Sequence, residues 1–433
     1  MARTPLPYQP VLSKTGKTIC ELPRTLSVWA EADICIIGGG AAGIGAAVGA
    51  ARSGAKKILL IERYGFGGGA AVAGMSGTIC GLYSSGTGKP EIITTGFSRE
   101  FHERLFARGG VAEPWAFGKT YLAVHEPLAW KELADDYLLD HKIGVLYHTL
   151  FVDVVMRDRQ VTHVILENKN GRGAVAAKAF IDASGDADLV HRAGGPSSAG
   201  IYGVTQAPTL IFRMMNVDVP LAMKTGPEEL ELKVKEAIAS GNYQLPRTHC
   251  YLFPSPRFGE YSCNMTRLNP PSNTEKKCLS GLDTDDLTYC EFEGRKIVRE
   301  YERFLKDYIP GFSNAFVNDV GTQIGIRQTR SIVGRGILKN SDVLQARKFG
   351  DQAVSRSAWP IEDHTSGEVR IVYLDNDFYE IPQESLIPKT LDNVWVAGRC
   401  LSAEHEALAS ARVTAQCLEM GYAAGAMAVA SGS

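Results

Sequence analysis

The chain has 433 residues, of which 45% are hydrophobic and 22% are charged, enough for two domains with a sizeable core. The formal net charge is −2, and Lys, Arg, Asp and Glu are spread along the whole sequence. This excludes a basic stripe or a tail of one sign, so we expect no nucleic-acid partner.

The nine cysteines are widely spaced and form no C-x-x-C pair. This spacing argues against a metal or iron–sulfur site and favours reduced thiols in a cytoplasmic protein. Residues 1–10 contain no apolar run, so we expect no signal peptide. The apolar stretches are shorter than a membrane span, and we therefore also expect no membrane anchor.

The first structural unit predicted along the chain is a strand, a glycine turn and a helix. An apolar, β-branched run at 32–37 predicts a buried parallel strand, and the sequence GGGAAG follows it directly at 38–43. Small apolar residues at 44–53 predict a helix that can lie close to a sheet. A second strand is predicted at 57–61, and it ends in Glu62.

This order matches a dinucleotide-binding unit with a G-x-G-x-x-G motif. Gly38 permits the tight turn, Gly40 and Ala42 lie where the backbone approaches a pyrophosphate, and Gly43 allows close contact between helix and strand. The helix N-terminus would face the phosphates. Glu62 stands about twenty residues after the last glycine, where an acid accepts hydrogen bonds from a ribose 2′-hydroxyl.

A second glycine-rich loop follows directly after this acid, in the sequence ERYGFGGGA at 62–70. Its backbone N–H groups suit a long, extended dinucleotide, and a nicotinamide domain seldom needs them. We therefore predict FAD, with contacts from Arg63, Gly68, Gly69 and Ala70. A merely flexible loop is the alternative interpretation.

Three further strands are predicted next, at Tyr147–Arg157, Val161–Asn168 and Ala174–Lys178, with a hairpin turn at Lys169–Arg172. Val152, in the first of them, is a predicted cofactor contact. An apolar strand then ends in small residues and acids, where open α/β sheets bind ligands. The cofactor contacts predicted there are Ala183, Ser184, Gly185 and Asp186. Asp186 taken alone fits a helix N-cap better than a ligand contact.

Near the end of the chain, Leu391–Arg399 predicts another buried strand that ends in glycine. An Ala-rich helix is predicted from Ala403 to Val429, with Ser402 as its N-cap. The positive end of this helix would stabilise negative charge on a reduced flavin. The alternative interpretation is an ordinary C-terminal helix that covers the sheet. The cofactor contacts predicted in this region are Gly398, Arg399 and Ala403.

With these segments in hand, the sequence resembles two-dinucleotide-binding-domain flavoproteins of the glutathione reductase type, and more closely the family of FAD-dependent oxidoreductases. The most family-specific stretches are IGIRQTRSIVG at 324–334, SLIPK at 385–389 and VAGRCLSAEHEA at 396–407. The matching stretches are Ile36–Arg63, Tyr64–Gly81, Phe180–Ala193, Ile324–Gly336 and Ile381–Gly425. The resemblance implies FAD, bound noncovalently or covalently, in a domain assembled from separated segments.

The predicted fold is therefore α/β, with a Rossmann-type FAD-binding domain that combines a parallel sheet with a β-meander, and an inserted α+β substrate domain. The FAD-binding segments are predicted at 30–80, 135–200 and 380–433, a cap or substrate-side insertion at 81–134, and the substrate domain at 201–379.

Two residues are predicted to be catalytic. His405, in the first turn of the last helix, could take a proton, or it could bind the cofactor or cap a neighbour. Arg327 could hold a substrate carboxylate in bidentate fashion, or it could form a structural ion pair. His125, His364 and Arg412 are weaker candidates for lining the substrate site.

The predicted function is hydride transfer between a small organic substrate and flavin, with an external electron acceptor or donor. One G-x-G-x-x-G motif and the absence of a C-x-x-x-x-C pair disfavour a disulfide reductase. A flavin-dependent monooxygenase is one alternative, and a non-catalytic flavin-fold binding protein is another. A homo-oligomer is compatible with the sequence.

Overall fold

The computed structural model describes residues 18–21, 23–86, 88–365 and 367–431. Residues 1–10, for which no signal peptide is expected, lie outside these ranges. The strands are β1 (Val28–Ile37), β2 (Ile58–Ile61), β3 (Thr78–Ile79), β4 (Trp115–Phe117), β5 (Thr120–Val124), β6 (Gly144–Leu146), β7 (Leu150–Arg157), β8 (Gln160–Asn168), β9 (Gly171–Asp182), β10 (Ser197–Ala199), β11 (Phe212–Met215), β12 (Tyr251–Pro254), β13 (Tyr261–Asn264), β14 (Phe316–Val320), β15 (Arg330–Ile332), β16 (Ala353–Ser357), β17 (Ile361–Asp363), β18 (Arg370–Val372), β19 (Tyr379–Pro382) and β20 (Val394–Val396).

The helices are α1 (Ala41–Arg52), α2 (Phe97–Ala107), α3 (Pro127–Asp140), α4 (Asp188–Arg192), α5 (Val219–Ala222), α6 (Pro227–Ala239), α7 (Thr284–Tyr308), α8 (Asn340–Leu344), α9 (His405–Ala411) and α10 (Thr414–Ala430), with 3-10 turns at Gly69–Ala71, Gly350–Gln352 and Gln383–Leu386. No helix in the described ranges is long and apolar enough to cross a membrane.

The main sheet is parallel at one end and antiparallel at the other. Strand β1 lies between β2 and β9 and is parallel to both, while β6 joins β2 and β20 joins β9, also in parallel. Strands β7, β8 and β9 form an antiparallel meander. This is the predicted α/β fold, a parallel sheet with a β-meander.

The meander differs from the prediction in two places. The strand expected at Ala174–Lys178 and the apolar strand after it are one strand, β9, whose first half pairs with β8 and whose last residues pair with β20. The strand expected from Tyr147 begins only at Leu150, because His148 has a φ of +52° and interrupts the extended backbone.

Helices α1 and α10 pack with their backbones in contact. A Cβ atom on Gly45 would lie 2.2 Å from the carbonyl oxygen of Leu418, and one on Gly49 would lie 2.1 Å from that of Tyr422. The contacts advance in the same direction along both helices, which are therefore parallel. The N-termini of α1 and α10 consequently lie at the same edge of the sheet.

The C-terminal helix also differs from the prediction. The expected single helix is two, because Val413, between α9 and α10, is extended (φ −76°, ψ 163°). Ser402 is not an N-cap, since Glu404 holds that position in α9. The backbone of Ser402 instead donates to Ser385 and accepts from Leu338.

A second hydrophobic core lies under the antiparallel sheet β12-β13-β11-β14 and is covered by α6 and α7. Its buried side chains come from residues between Leu210 and Ile324. Buried side chains from Ile332 to Ile381 belong to the hydrophobic core around the main sheet. These residues lie in the substrate domain predicted from the sequence. The predicted domain boundaries stay predictions, and this packing favours an earlier end of the substrate unit.

Candidate functional site

A cavity of about 570 Å³ opens at the carboxyl ends of the parallel strands. Ile37 and Ile61, the last residues of β1 and β2, line it, as do Ala183 and Ala397, which follow β9 and β20. This is the edge at which open α/β sheets bind ligands.

Most of the predicted site residues line this one cavity, although five separate parts of the chain supply them. They are Gly38, Gly40, Ala42, Glu62, Arg63, Gly68, Gly69, Ala70, Ala183, Ser184, Gly185, Asp186, Arg327, Gly398 and Arg399.

Four predicted residues lie outside the lining that the described residues form. A Cβ atom on Gly43 would lie 1.8 Å from the carbonyl oxygen of Gly38, so Gly43 supports the turn from behind. Val152 lies one residue beyond Phe151, the last lining residue of β7. Ala403 forms a backbone bridge with Leu338. The fourth, His405, is described below.

The turn after β1 has the features that a pyrophosphate requires. Gly38 has a φ of +99°, and a Cβ atom there would lie 2.5 Å from the carbonyl oxygen of Ala183. A Cβ atom on Gly40 would have the Cα of Gly69 as its nearest neighbour, at 3.7 Å, so the space above this residue is open. No described side chain caps α1, which leaves its first N–H groups free to bind an anion.

The second glycine loop lies directly on the first. The N–H of Gly68 donates to the carbonyl oxygen of Gly39 at 2.8 Å, and a Cβ atom on Gly69 would lie 2.8 Å from the Cα of Gly40. The two loops therefore form one backbone cradle. This contact supports the interpretation of the second loop as an ordered part of the cofactor site over that of a merely flexible loop.

Glu62 lies at the end of this cradle with 6% of its surface exposed. Its Oε2 accepts from the N–H of Gly39 at 2.6 Å, and its Oε1 accepts from the N–H of Tyr64 at 2.8 Å. Burial raises the pKa of Glu62, and these two hydrogen bonds oppose that rise. Each oxygen keeps acceptor capacity for a ribose hydroxyl.

Asp186 is not an N-cap. Ala187, with a φ of +55°, holds that position in α4. The Oδ1 of Asp186 instead accepts from Nη2 of Arg399 at 2.7 Å and from Oγ1 of Thr329 at 2.8 Å. This network ties the segment after β9 to the segment after β20 beside the cavity.

At the opposite side of the cavity, Arg327, Glu362, His364 and Arg412 form a polar wall. His364 Nε2 lies 3.0 Å from Oε1 of Glu362. Burial and the charge of Arg327 lower the pKa of His364 to about 3. Burial acts to raise the pKa of Glu362, but the hydrogen bond with His364 and the two guanidinium charges hold it at about 2. At neutral pH the imidazole is neutral and the carboxylate is ionised.

His405 lies outside the cavity lining, contrary to the role expected from its position in the sequence. Its Nε2 lies 2.9 Å from Oγ1 of Thr365 and 3.3 Å from Oδ1 of Asp363. Burial acts to raise the pKa of Asp363, but the hydrogen bonds from His405 and Thr365 hold it well below its ordinary value. His405 therefore contacts Asp363 and Thr365 beside the polar wall, and its catalytic role stays a prediction.

The remaining histidine candidate, His125, does not line the cavity either. It is fully buried against Trp130, and burial lowers its pKa to about 3. Among the described residues, no cluster of three or more His, Cys, Asp or Glu side chains could hold a metal ion.

The cavity also contains residues that the sequence interpretation missed. Thr414 and Cys417 from the first turn of α10 line it, as does Phe151. Because Thr414 begins α10 and lines the cavity, the positive end of this helix faces the cavity, and no described side chain caps it. The β-branched pair Val413-Thr414 was the one local signal of the helix break that places these residues there.

The glycine cradle, the acid at its end and the uncapped helix ends together fit a dinucleotide. A family model described as FAD dependent oxidoreductase matches residues 33–432. No curated protein sequence matches the chain.

Solved structures resemble the chain at low identity. A geranylgeranyl bacteriochlorophyll reductase-like protein from Thermoplasma acidophilum is 15% identical, with 93% of this chain and 77% of that chain covered and a TM-score of 0.48. A flavin-dependent brominase triple mutant is 13% identical, with 92% of this chain and 79% of that chain covered and a TM-score of 0.44. A p-nitrophenol 4-monooxygenase from Pseudomonas putida is 10% identical, with 71% of this chain and 70% of that chain covered and a TM-score of 0.40.

The family match extends over almost the whole chain and agrees with the cradle found in the structure. The chain belongs to the FAD dependent oxidoreductase family, and it is an oxidoreductase that binds FAD.

Proposed function

We propose that this chain transfers a hydride between a small organic substrate and FAD, and that an external electron acceptor or donor completes the cycle. The observation that supports this most is a single cavity in which the glycine cradle and the polar wall of Arg327, Glu362, His364 and Arg412 meet. Bound FAD would supply the two-electron chemistry that these side chains lack.

In this proposal the cofactor is held by the predicted residues that line the cavity. The N–H groups at the start of α1 bind the pyrophosphate, and Glu62 accepts from the ribose. The N-terminus of α10, at Thr414, stabilises negative charge on whatever group lies above it. The substrate binds on the side of the polar wall, which residues 327–364 and Arg412 at the end of α9 supply.

The polar wall has the groups needed to bind and orient a substrate. Glu362 is ionised and accepts from His364, so it can also accept from a substrate hydroxyl or amino group. Arg327 donates through Nη1 to the carbonyl oxygen of Ala207 at 2.7 Å, which fixes the guanidinium at the cavity wall. These residues are proposed to bind and orient the substrate.

The test is anaerobic reduction of the FAD-loaded protein by a panel of alcohols, amines and organic acids, followed through the visible flavin absorbance. We expect one class of compound to bleach the flavin and oxygen or a quinone to restore it. Bleaching by NADPH alone, with oxygen consumed only when an aromatic substrate is present, would contradict the proposal and favour a monooxygenase. A protein that holds FAD but is bleached by nothing in either test would favour a binding protein.

A further inference from the structure

Four arginine side chains lie together at the substrate side of the cavity. Arg327 and Arg412 line it, and Arg247 and Arg267 are only 4% and 7% exposed. The pKa of Arg327 is held well below its ordinary value, first by burial and then by the charges of Arg247 and Arg412. The guanidinium groups are therefore close enough to repel one another.

The acids of this region do not balance these charges. Glu362 and Asp363 are the carboxylates whose charges act on Arg327, Arg267 and Arg412, and His364 is neutral. Arg399, which also acts on Arg412, already forms an ion pair with Asp186 at 2.7 Å. These three guanidinium groups against two carboxylates leave a formal excess of one positive charge, to which the buried Arg247 adds.

Several polar atoms here have no partner within the described part of the chain. Nε and Nη2 of Arg247 and Nε of Arg412 are buried without a hydrogen-bond acceptor, and the hydroxyl of Tyr251 is buried without a partner. Nη2 of Arg412 does donate to Gln206 at 2.9 Å, so the side chain is held in place while Nε stays free. Buried donors of a charged group are costly to leave unpaired, and a ligand oxygen in the cavity would satisfy Nε of Arg412, which lines it.

A carboxylate fits this site better than a phosphate does. Its two oxygens match the planar fork of a guanidinium, and its single negative charge offsets the excess. A phosphate dianion would meet stronger repulsion from Glu362 in the same cluster. Glu362 and the unpartnered Oδ1 of Asn264, which also lines the cavity, are acceptors that suit a donor group on the same ligand.

We infer that the substrate is a small organic acid whose carboxylate binds to Arg327 and Arg412, and whose hydroxyl or amino group donates to Glu362. This inference rests on the proposed function only in taking the cavity as the substrate site. Arg247 does not line the cavity, but its charge acts on Arg327 and adds to the local positive potential.

The test is isothermal titration calorimetry of the FAD-loaded protein with acetate, malonate and benzoate, each compared with its matched amide. We expect at least one acid to bind at least about tenfold more tightly than its amide, because the amide lacks the negative charge. Equal affinities for acid and amide, or no measurable binding of any acid, would overturn the inference.

Variants then locate the binding groups. Arg327→Gln and Arg412→Gln should each weaken binding of the preferred acid at least about tenfold and leave amide binding unchanged. Arg327→Lys, which keeps the charge but loses the fork, should give a smaller loss and serves where Arg327→Gln fails to fold. Arg335→Gln, at an exposed position outside the cavity, is the matched control and should bind like the wild type.

Bound FAD and the melting temperature of each variant show whether its fold is retained. Folded variants that bind the acid as well as the wild type does would overturn the inference. Because binding is measured without turnover, selective acid binding with no flavin bleaching would leave this inference standing and reject the proposed function. Bleaching of the flavin by a neutral compound, with no preference for binding acids, would support the proposed function and reject this inference.

Discussion

The carboxylate of Glu62 accepts a hydrogen bond from the backbone N–H of Gly39, with 2.6 Å between Oε2 and the nitrogen. The residue that follows β2 therefore holds the glycine turn that follows β1. The acid predicted to bind the ribose also fixes the shape of the phosphate cradle, so the two parts of the cofactor site are built as one unit.

Gly40→Ala should keep the fold and lose the cofactor. The added Cβ would lie 3.7 Å from Gly69 in ordinary contact, and the backbone at Gly40 (φ −68°, ψ −175°) suits any residue. The methyl group would occupy the space through which the pyrophosphate approaches. We expect FAD affinity to fall at least about tenfold in calorimetry, with a nearly unchanged melting temperature of the apoprotein. Wild-type affinity would contradict the proposed position of the pyrophosphate.

Gly43→Ala should instead damage the fold. Its Cβ would lie 1.8 Å from the carbonyl oxygen of Gly38, a backbone atom that cannot move without opening the turn. We expect a loss of about 3 kcal/mol in the free energy of unfolding of the apoprotein, measured by urea denaturation beside Gly40→Ala. Equal stabilities of the two variants would show that the contact is not tight.

Asp182 should make the protein less stable as the pH rises from about 4 to about 6. Burial raises its pKa to about 6 in the folded state, although hydrogen bonds from Ser184 and Val190 favour the ionised form. The folded state thus holds a proton that the unfolded state has lost, and the stability is present below pH 4 and lost as the pH passes 6. The effect is on the order of 3 kcal/mol.

The measurement is the free energy of unfolding of the wild type minus that of Asp182→Asn at each pH from 4 to 7. This difference should decline over that range. A flat difference would show that Asp182 has an ordinary pKa.

His405→Gln and Glu362→Gln should differ sharply in flavin reduction. His405 lies outside the cavity lining, so its loss should lower the rate only a few-fold through Asp363. Glu362 lines the cavity, and loss of the carboxylate that is proposed to orient the substrate should cost about a hundredfold or more. Anaerobic stopped-flow reduction by the identified substrate gives both rates. A hundredfold loss in His405→Gln alone would restore the histidine to a catalytic role.

The pH profile of kcat/KM should show no ionisation of His364 between pH 5 and 8. This quantity reports groups of the free enzyme. Burial and the charge of Arg327 hold the pKa of His364 at about 3, so the imidazole stays neutral throughout that range. An inflection near pH 6.5 that disappears in His364→Gln would contradict the placement of His364 against the arginines.

Sequence reasoning found the cofactor side because its signals are local. The turn at Gly38–Gly43 and the acid at Glu62 belong to one strand–turn–helix–strand unit, whose geometry follows from neighbours in the chain. The break at Val413 had no comparable signal, because the flanking Ala-rich segments continue the same pattern. His405 was consequently assigned to the helix end that Thr414 occupies in the structure.

By itself, the sequence determined that this protein has a dinucleotide cradle and that the dinucleotide is FAD, since glycines and a single acid at set spacings dictate a backbone conformation. Only the tertiary structure decided which side chains line the proposed substrate side of the cavity. Arg327, the pair Glu362 and His364, and Arg412 come from three separate segments, and only long-range packing brings their charges together. Their collective excess of positive charge is a property of that packing, and no local pattern in the chain encodes it.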